Sequence, residues 1–230
     1  MQILAISLDL DDTLWPIAPI VLRAEQQLDR WLREHCPSVA DAYPVAGMRA
    51  LRERIANENP HLAHDFTEQR KLSLRAAFTP HGYGEDHVEA AFAAFYAARN
   101  QVDLFDDVLP ALARLSARCP LVSLSNGNAD LDRIGLRPHF AHSVSAREFG
   151  KPKPAPEIFL AACAVVGVAP ANVLHVGDDP LLDVRGAREA GLRTAWINRT
   201  GAAWGDLPEP DMSFTHLGEL ADWLDLRLAA

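Results

Sequence analysis

The apolar positions of this chain follow two regimes. Ile3-Leu4-Ala5-Ile6-Ser7-Leu8 is a short apolar run that stops at the acidic cluster Asp9–Asp12. Leu121-Val122-Ser123-Leu124 stops at Ser125-Asn126-Gly127, Val173-Leu174-His175-Val176 at Gly177-Asp178, and Ala195-Trp196-Ile197 at Asn198. Runs this short and apolar predict strands buried on both faces. Between them, Pro156–Val166 and Leu181–Ala190 predict helices, the latter stopped by Gly191. The alternation predicts an α/β architecture with a parallel sheet between helices, each strand delivering polar residues at its carboxyl end, where open sheets bind ligands.

Residues 15–101 behave differently. Ile17, Ile20, Val21, Ala24, Leu28, Trp31 and Leu32 repeat at helical spacing until Pro37. Asp65 with Glu68 has the form of a helix cap ahead of a helix running to about Phe78, and Val88, Ala91, Phe92 and Phe95 mark another helix. No strand is legible there. The pattern predicts a helical insert, 15–101, in an α/β core made of 1–14 and 102–230. Thr200–Pro210 is the longest irregular connection of that core.

Composition narrows the setting. The chain has 230 residues, 49% hydrophobic and 23% charged, enough for a sizeable core. With 22 Lys and Arg against 31 Asp and Glu the net charge is −9, which argues against nucleic acid or an anionic membrane as partner but leaves room for a small anion in a local positive pocket. The first nine residues lack a basic n-region and read as a strand, and no run approaches the roughly 20 apolar residues of a membrane span. Cys36, Cys119 and Cys163 are odd in number and widely spaced, which fits reduced thiols and a cytoplasmic location. Asn198-Arg199-Thr200 is a chance glycosylation match.

Candidate chemistry sits at the strand ends. Asp9 and Asp11 of Asp9-Leu10-Asp11-Asp12-Thr13 share a face if the chain is extended; their repulsion calls for a hard cation, a shared proton, or a nucleophile beside an acid. An Asx-rich turn explains the same spacing. Ser125-Asn126-Gly127 offers a hydroxyl and backbone N–H groups as an anion cradle, or is a plain turn. Lys151 and Lys153, set among prolines, are kept out of a helix and would neutralise a transferring anionic group, or are solvated surface charges. Asp178, Asp179 and Asp183 bring carboxylates to a strand end and a helix start, where acidic residues also suit the helix dipole.

Taken in order, Asp9-x-Asp11-x-Thr13, Ser125-Asn126-Gly127, Gly150-Lys151-Pro152-Lys153-Pro154-Ala155-Pro156-Glu157-Ile158-Phe159 and Val176-Gly177-Asp178 with Asp183 resemble the four motifs of the haloacid dehalogenase-like (HAD) superfamily. The resemblance spans the chain and implies a Rossmannoid core with an all-helical C1 cap as the insert. It implies that Asp9 is the nucleophile and Asp11 the general acid and base, its pKa raised by its site. Thr13, Ser125, Asn126 and Lys153 would bind the phosphoryl group. Mg²⁺ would lie on Asp9, the Asp11 carbonyl and Asp178, with Asp183 and Asp179 behind them. Lys153 fits the pattern better than Lys151.

Asp11 narrows the reaction within that resemblance. Dehalogenases of the superfamily lack a carboxylate there, because halide needs no proton, so the motif implies a phosphatase acting on a small phosphorylated metabolite. A sugar-phosphate mutase shares every core motif, and a receiver-type phospho-acceptor or a catalytically silent relative stand further off. Trp15 would stack on a substrate ring or fill a core contact. Arg23, Arg49, Arg70, Lys71 and Arg75 would meet an anionic substrate or lie on solvated helix faces. Asp9–Leu14, Ser125–Asn128 and Leu174–Asp179 resemble the bacterial branch acting on flavin mononucleotide and on ribityl-aminopyrimidine phosphate.

Overall fold

A computed structural model describes residues 2–228. The chain divides into two compact units. One takes residues up to Pro16, Asp103–Gly127 and Gly135 onward; the other takes Ile17–Val102 and Asn128–Ile134.

The first unit is built on a six-stranded sheet with strands β1 (Ala5–Leu8), β2 (Leu121–Ser125), β3 (His142–Ser145), β4 (Val173–Gly177), β5 (Arg193–Ile197) and β6 (Met212–Phe214). Their order is β3-β2-β1-β4-β5-β6, and every pairing is parallel. β1, β2 and β4 are buried along their whole length, as their continuous apolar runs require. The edge strands β3 and β6 are half exposed and carry His142-Ser143-Val144-Ser145 and Met212-Ser213-Phe214, which is why no apolar run announces them. Val122, Leu124, Ile158, Phe159 and Ala162 are among the residues packing the helix Pro156–Val166 against the sheet. That helix ends at Gly167, whose φ of +65° is the left-handed conformation of a C-terminal cap.

Chain order reverses at β1, with β2 on one side and β4 on the other. That is the switch point at which open α/β sheets bind ligands beyond the strands' carboxyl ends.

The second unit holds helices Ile17–His35, Pro37–Ala42, Val45–Glu58, Phe66–Phe78 and Glu85–Arg99. Its core includes Ala24, Leu28, Leu32, Leu74, Phe78, Val88, Ala91 and Phe95. Asp65 caps its helix by accepting from the Glu68 N–H at 2.9 Å. Pro37 does more than stop the first helix: it stands in the first turn of the next one, where its missing N–H costs nothing. Asn128–Ile134, assigned to the core from sequence, belongs to this unit. Asn128 Nδ2 donates to Thr67 Oγ1 at 3.3 Å, the Asp130 N–H donates to Asn100 Oδ1 at 2.7 Å, and Arg133 lies over the Tyr96 ring at 5.2 Å. No helix among the described residues is long and apolar enough to cross a membrane.

Candidate active site

Three neighbouring strand ends bring the motif residues of the first unit together. Asp9 follows β1 and is 6% exposed. Its N–H donates to the Val176 carbonyl at 2.9 Å, so its backbone is fixed to β4. The chain then winds tightly: Leu14 N–H donates to Leu10 O, Asp12 N–H donates to Trp15 O, each at 2.8 Å, and Asp12 takes a φ of +59°. This αL residue is one of the few positions where aspartate is tolerated in place of glycine.

Lys153, 4% exposed, stands between two carboxylates: its Nζ donates to Asp9 Oδ1 at 2.5 Å and Asp183 Oδ1 at 2.6 Å. Lys151, by contrast, is exposed and pairs with Glu157. The Asn126 side chain clamps the Lys153 backbone, accepting from the Lys153 N–H at 2.7 Å and donating to its carbonyl at 3.0 Å, which leaves the Asn126 backbone as the part expected to meet phosphate. Ser125 Oγ closes its own turn by accepting from the Gly127 N–H at 2.9 Å.

Asp183 lies deep because Asp179 opens the following turn. Asp179 Oδ1 accepts from the N–H groups of Leu181 (2.7 Å) and Leu182 (2.8 Å), starting a π-helical turn, Pro180–Arg185, ahead of the short helix Gly186–Glu189. The Asp179 side chain is thus a cap, and its N–H is the part that reaches Asp183, donating to Oδ2 at 3.0 Å. Gly177 has to be glycine here: a Cβ on it would fall 2.3 Å from the Asp183 carboxyl carbon.

Asp9, Asp178 and Asp183 converge so that one oxygen of each lies within 4.8 Å of the others. Asp183, expected behind the metal, stands in this cluster, while Asp11, expected to offer the metal only its backbone carbonyl, turns its carboxylate to Trp15, Oδ1 accepting the indole N–H at 2.8 Å. Trp15 is fully buried, so it holds Asp11 rather than offering a stacking face. Thr13 is fully buried too, its hydroxyl 3.2 Å from Asp178 Oδ1 and 3.4 Å from Asp9 Oδ2, so it lies among the carboxylates.

The electrostatics are those of a crowded anionic site with one fixed cation. Burial pushes the Asp9 carboxyl well above the ordinary range; Lys153 opposes this, and Asp183 and Asp178 add to it. Burial, with Asp183 and Asp12 close by, pushes Asp178 up to about 7. Asp183 goes the other way: burial would raise it, but Lys153 and His175 hold it low. The Lys153 ammonium stays protonated, since Asp183 and Asp9 outweigh the cost of its burial. An all-oxygen donor set with unrelieved negative charge fits a hard divalent cation. Both Asp183 oxygens already accept from Lys153, His175 and Asp179, so Asp9 and Asp178 are the carboxylates placed to hold one.

Three groups escaped the sequence reading. Trp196 Nε1 donates to the Asp178 carbonyl at 2.7 Å, Arg199 holds the Thr13 carbonyl, and His175 supports Asp183 from below. The strand end at Asn198 was the one signal for Arg199. The basic residues of the helical unit are engaged: Arg49 with Glu25, Lys71 with Glu89, Arg75 with Glu68 and Glu85, and Arg23 with the Gln101 carbonyl. Arg70 is buried over the Phe95 ring at 3.6 Å, and burial with Arg52 nearby lowers it to about 9.

Comparison with known proteins agrees with this geometry. The chain is 28% identical over 95% of both chains to the 5-amino-6-(5-phospho-D-ribitylamino)uracil phosphatase YigB of Escherichia coli. It is 33% identical, over 66% of this chain and 63% of the other, to the phosphoserine phosphatase of Thermus thermophilus. The crystal structure of a 2-haloacid dehalogenase from Pseudomonas syringae pv. Tomato superposes with a TM-score of 0.91 at 35% identity, covering 98% of this chain and all of that one. Residues 3–191 match the model of the haloacid dehalogenase-like hydrolases, and the chain belongs to that family.

Proposed function

We propose that this hydrolase is a magnesium-dependent phosphatase that removes phosphate from a small-molecule monoester through an aspartyl phosphate on Asp9. The observation that carries the reading is the placement of Lys153 against Asp9 inside the Asp9–Asp178–Asp183 cluster. One cation on the nucleophile, with a second that Asp9 and Asp178 would hold, is the charge balance a phosphoryl group needs and a neutral carbon–halogen bond does not.

Asp9 Oδ attacks phosphorus and the ester P–O bond breaks. The departing alkoxide takes its proton from Asp11, which the Trp15 indole orients. Asp11, now ionised, takes a proton from water as that water attacks the Asp9-bound phosphorus, which releases inorganic phosphate and restores both carboxyls. Lys153 neutralises charge on the phosphoryl oxygens, and Asn126 keeps its backbone in place. Mg²⁺, on Asp9 and Asp178, would supply further positive charge for the phosphoryl oxygens.

For substrate class we favour a phosphorylated ribitylamino-pyrimidine or flavin mononucleotide, supported by the full-length similarity to YigB. The similarity to a dehalogenase structure makes halide release the reading to set against it. The test runs both reactions on one preparation: phosphate release from the ribityl phosphates, phosphoserine and sugar phosphates, and halide release from 2-haloacids, each with Mg²⁺ or EDTA. Phosphate release abolished by EDTA and by Asp9→Asn is the expected result. Halide release without phosphate release would overturn the proposal.

A further inference from the structure

Beneath the catalytic carboxylates runs a buried hydrogen-bonded line that the reaction above does not use. Ser7 and His175 are cross-strand partners in the β1–β4 pairing, and both are 1% exposed or less. Ser7 Oγ lies 2.8 Å from His175 Nδ1. His175 Nε2 lies 3.1 Å from Asp183 Oδ1, the oxygen that also takes Lys153 Nζ. The Phe159 ring packs edge-on against the imidazole at 4.9 Å. Ser7 in β1 and Asp9 just after it stand two residues apart, so the line starts on the face where the nucleophile emerges.

The chemistry of these atoms leaves one arrangement. His175 Nε2 faces Asp183 Oδ1, and the Asp183 carboxylate also accepts from the Lys153 ammonium and the Asp179 N–H, so it is an acceptor toward the ring. Nδ1 faces the Ser7 hydroxyl, which can donate. The proton therefore sits on Nε2, facing Asp183, and Nδ1 accepts from the Ser7 hydroxyl. The other tautomer would set a ring lone pair against a buried carboxylate.

We propose that His175 is a positioning residue, locked by Ser7 in its Nε2–H tautomer, that fixes Asp183 and through it the Lys153 ammonium against Asp9. Its effect on turnover rests on the phosphatase reading; the tautomer itself does not, and the experiment separates the two.

In ¹⁵N-labelled protein, long-range ¹H–¹⁵N correlation of the imidazoles reports each tautomer, and loss of one pattern in His175→Gln identifies His175 among the nine histidines. The wild type should show the Nε2–H pattern, and Ser7→Ala should move the Nδ1 resonance toward that of an unbonded acceptor. In phosphate release, His175→Gln, whose amide can donate from the same place, should stay within about threefold of wild type. His175→Met should lose about 10–100-fold in kcat with KM within about twofold, the scale of outer-shell partners. An Nδ1–H or doubly protonated ring, no response to Ser7→Ala, or equal losses in the Gln and Met variants would each overturn the proposal. Should the Met variant not fold, the wild-type and Ser7→Ala spectra decide it. A wild type that releases no phosphate removes the assigned reaction and leaves the tautomer test standing.

Discussion

Arg199 donates its Nε–H to the Thr13 carbonyl at 3.1 Å while its terminal nitrogens hold the Asp107 carboxylate at 2.9 and 3.0 Å. Its guanidinium also lies 3.9 Å over the Phe105 ring. A side chain just after β5 thus holds the loop after β1 that follows the proposed nucleophile, Asp9. Lysine has the charge but not the planar fork, so Arg199→Lys cannot keep both contacts. It should lower kcat about tenfold and cost about 1–3 kcal/mol in urea unfolding. A variant with wild-type kcat would show that the loop keeps its shape without Arg199.

Asp107 makes the same tie visible as a function of pH. Burial would raise its carboxyl, but Arg199 and the Leu217 N–H, at 2.8 Å, hold it below its ordinary value. A carboxyl depressed in the folded state contributes stability above its unfolded pKa of about 3.9 and loses it as pH falls through the folded value. The difference in unfolding free energy between wild type and Asp107→Asn should therefore be constant from about pH 5 to 8 and shrink below about pH 4. A difference independent of pH down to about 2.5 would sink this account.

Gly177 and Asp183 occupy the same space to within one methyl group. In Gly177→Ala the new Cβ would sit 2.4 Å from Asp183 Oδ2, with buried sheet on one side and the π-helical turn on the other. Displacing Asp183 releases Lys153 and His175 together. Activity should fall by more than about a hundredfold, with a stability loss of about 1–3 kcal/mol from overpacking. Near-normal turnover would mean that Asp183 can move without consequence.

Much of this architecture is written in the burial pattern. β1, β2 and β4 are covered on both faces, so their apolar runs name them directly, and the residues after them name the site. β3 and β6 escape because an edge strand needs no continuous apolar run. The helix Val45–Glu58 escapes because it buries only Met48 and Leu51. Within the site, sequence spacing identifies which carboxylates sit at strand ends but not their partners. The Asn126 clamp on Lys153 spans 27 residues and the Arg199 bond to Thr13 spans 186, and no local pattern encodes either. Spacing does not give the depth of Asp183, which depends on a π-helical turn that leaves no mark on periodicity.

Trp15 and Asp11 form a pair whose disruption is easy to read. Trp15→Phe keeps a buried aromatic ring but removes the indole N–H that donates to Asp11 at 2.8 Å. Asp11, the proposed acid and base, then loses an orienting bond while Asp9, Lys153 and Asp178 are untouched. In the proposed reaction both chemical steps use Asp11, so kcat should drop about tenfold with KM nearly constant, the signature of an interaction that matters in the transition state. A rise in KM at constant kcat would instead place Trp15 in substrate binding.

The cluster of Asp9, Asp178 and Asp183 predicts how the protein answers to metal even without substrate. Two buried carboxylates, Asp9 and Asp183, share Lys153 beside the partly buried Asp178, which burial and neighbouring charge lift to about 7. Divalent metal should stabilise the fold by binding the native state alone, about 2.7 kcal/mol at a hundred times its Kd. For a chain of this size that corresponds to a rise in Tm of about 5–10 °C on adding MgCl₂ to protein stripped with EDTA. Asp178→Asn removes one member of the repulsive set and one ligand. Without metal its Tm should equal or exceed that of the wild type, and Mg²⁺ should no longer raise it. A metal-dependent rise that survives in Asp178→Asn would move the cation elsewhere. A wild type unmoved by Mg²⁺, Mn²⁺ or Ca²⁺ would remove it from the site, and with it the magnesium dependence proposed for the reaction.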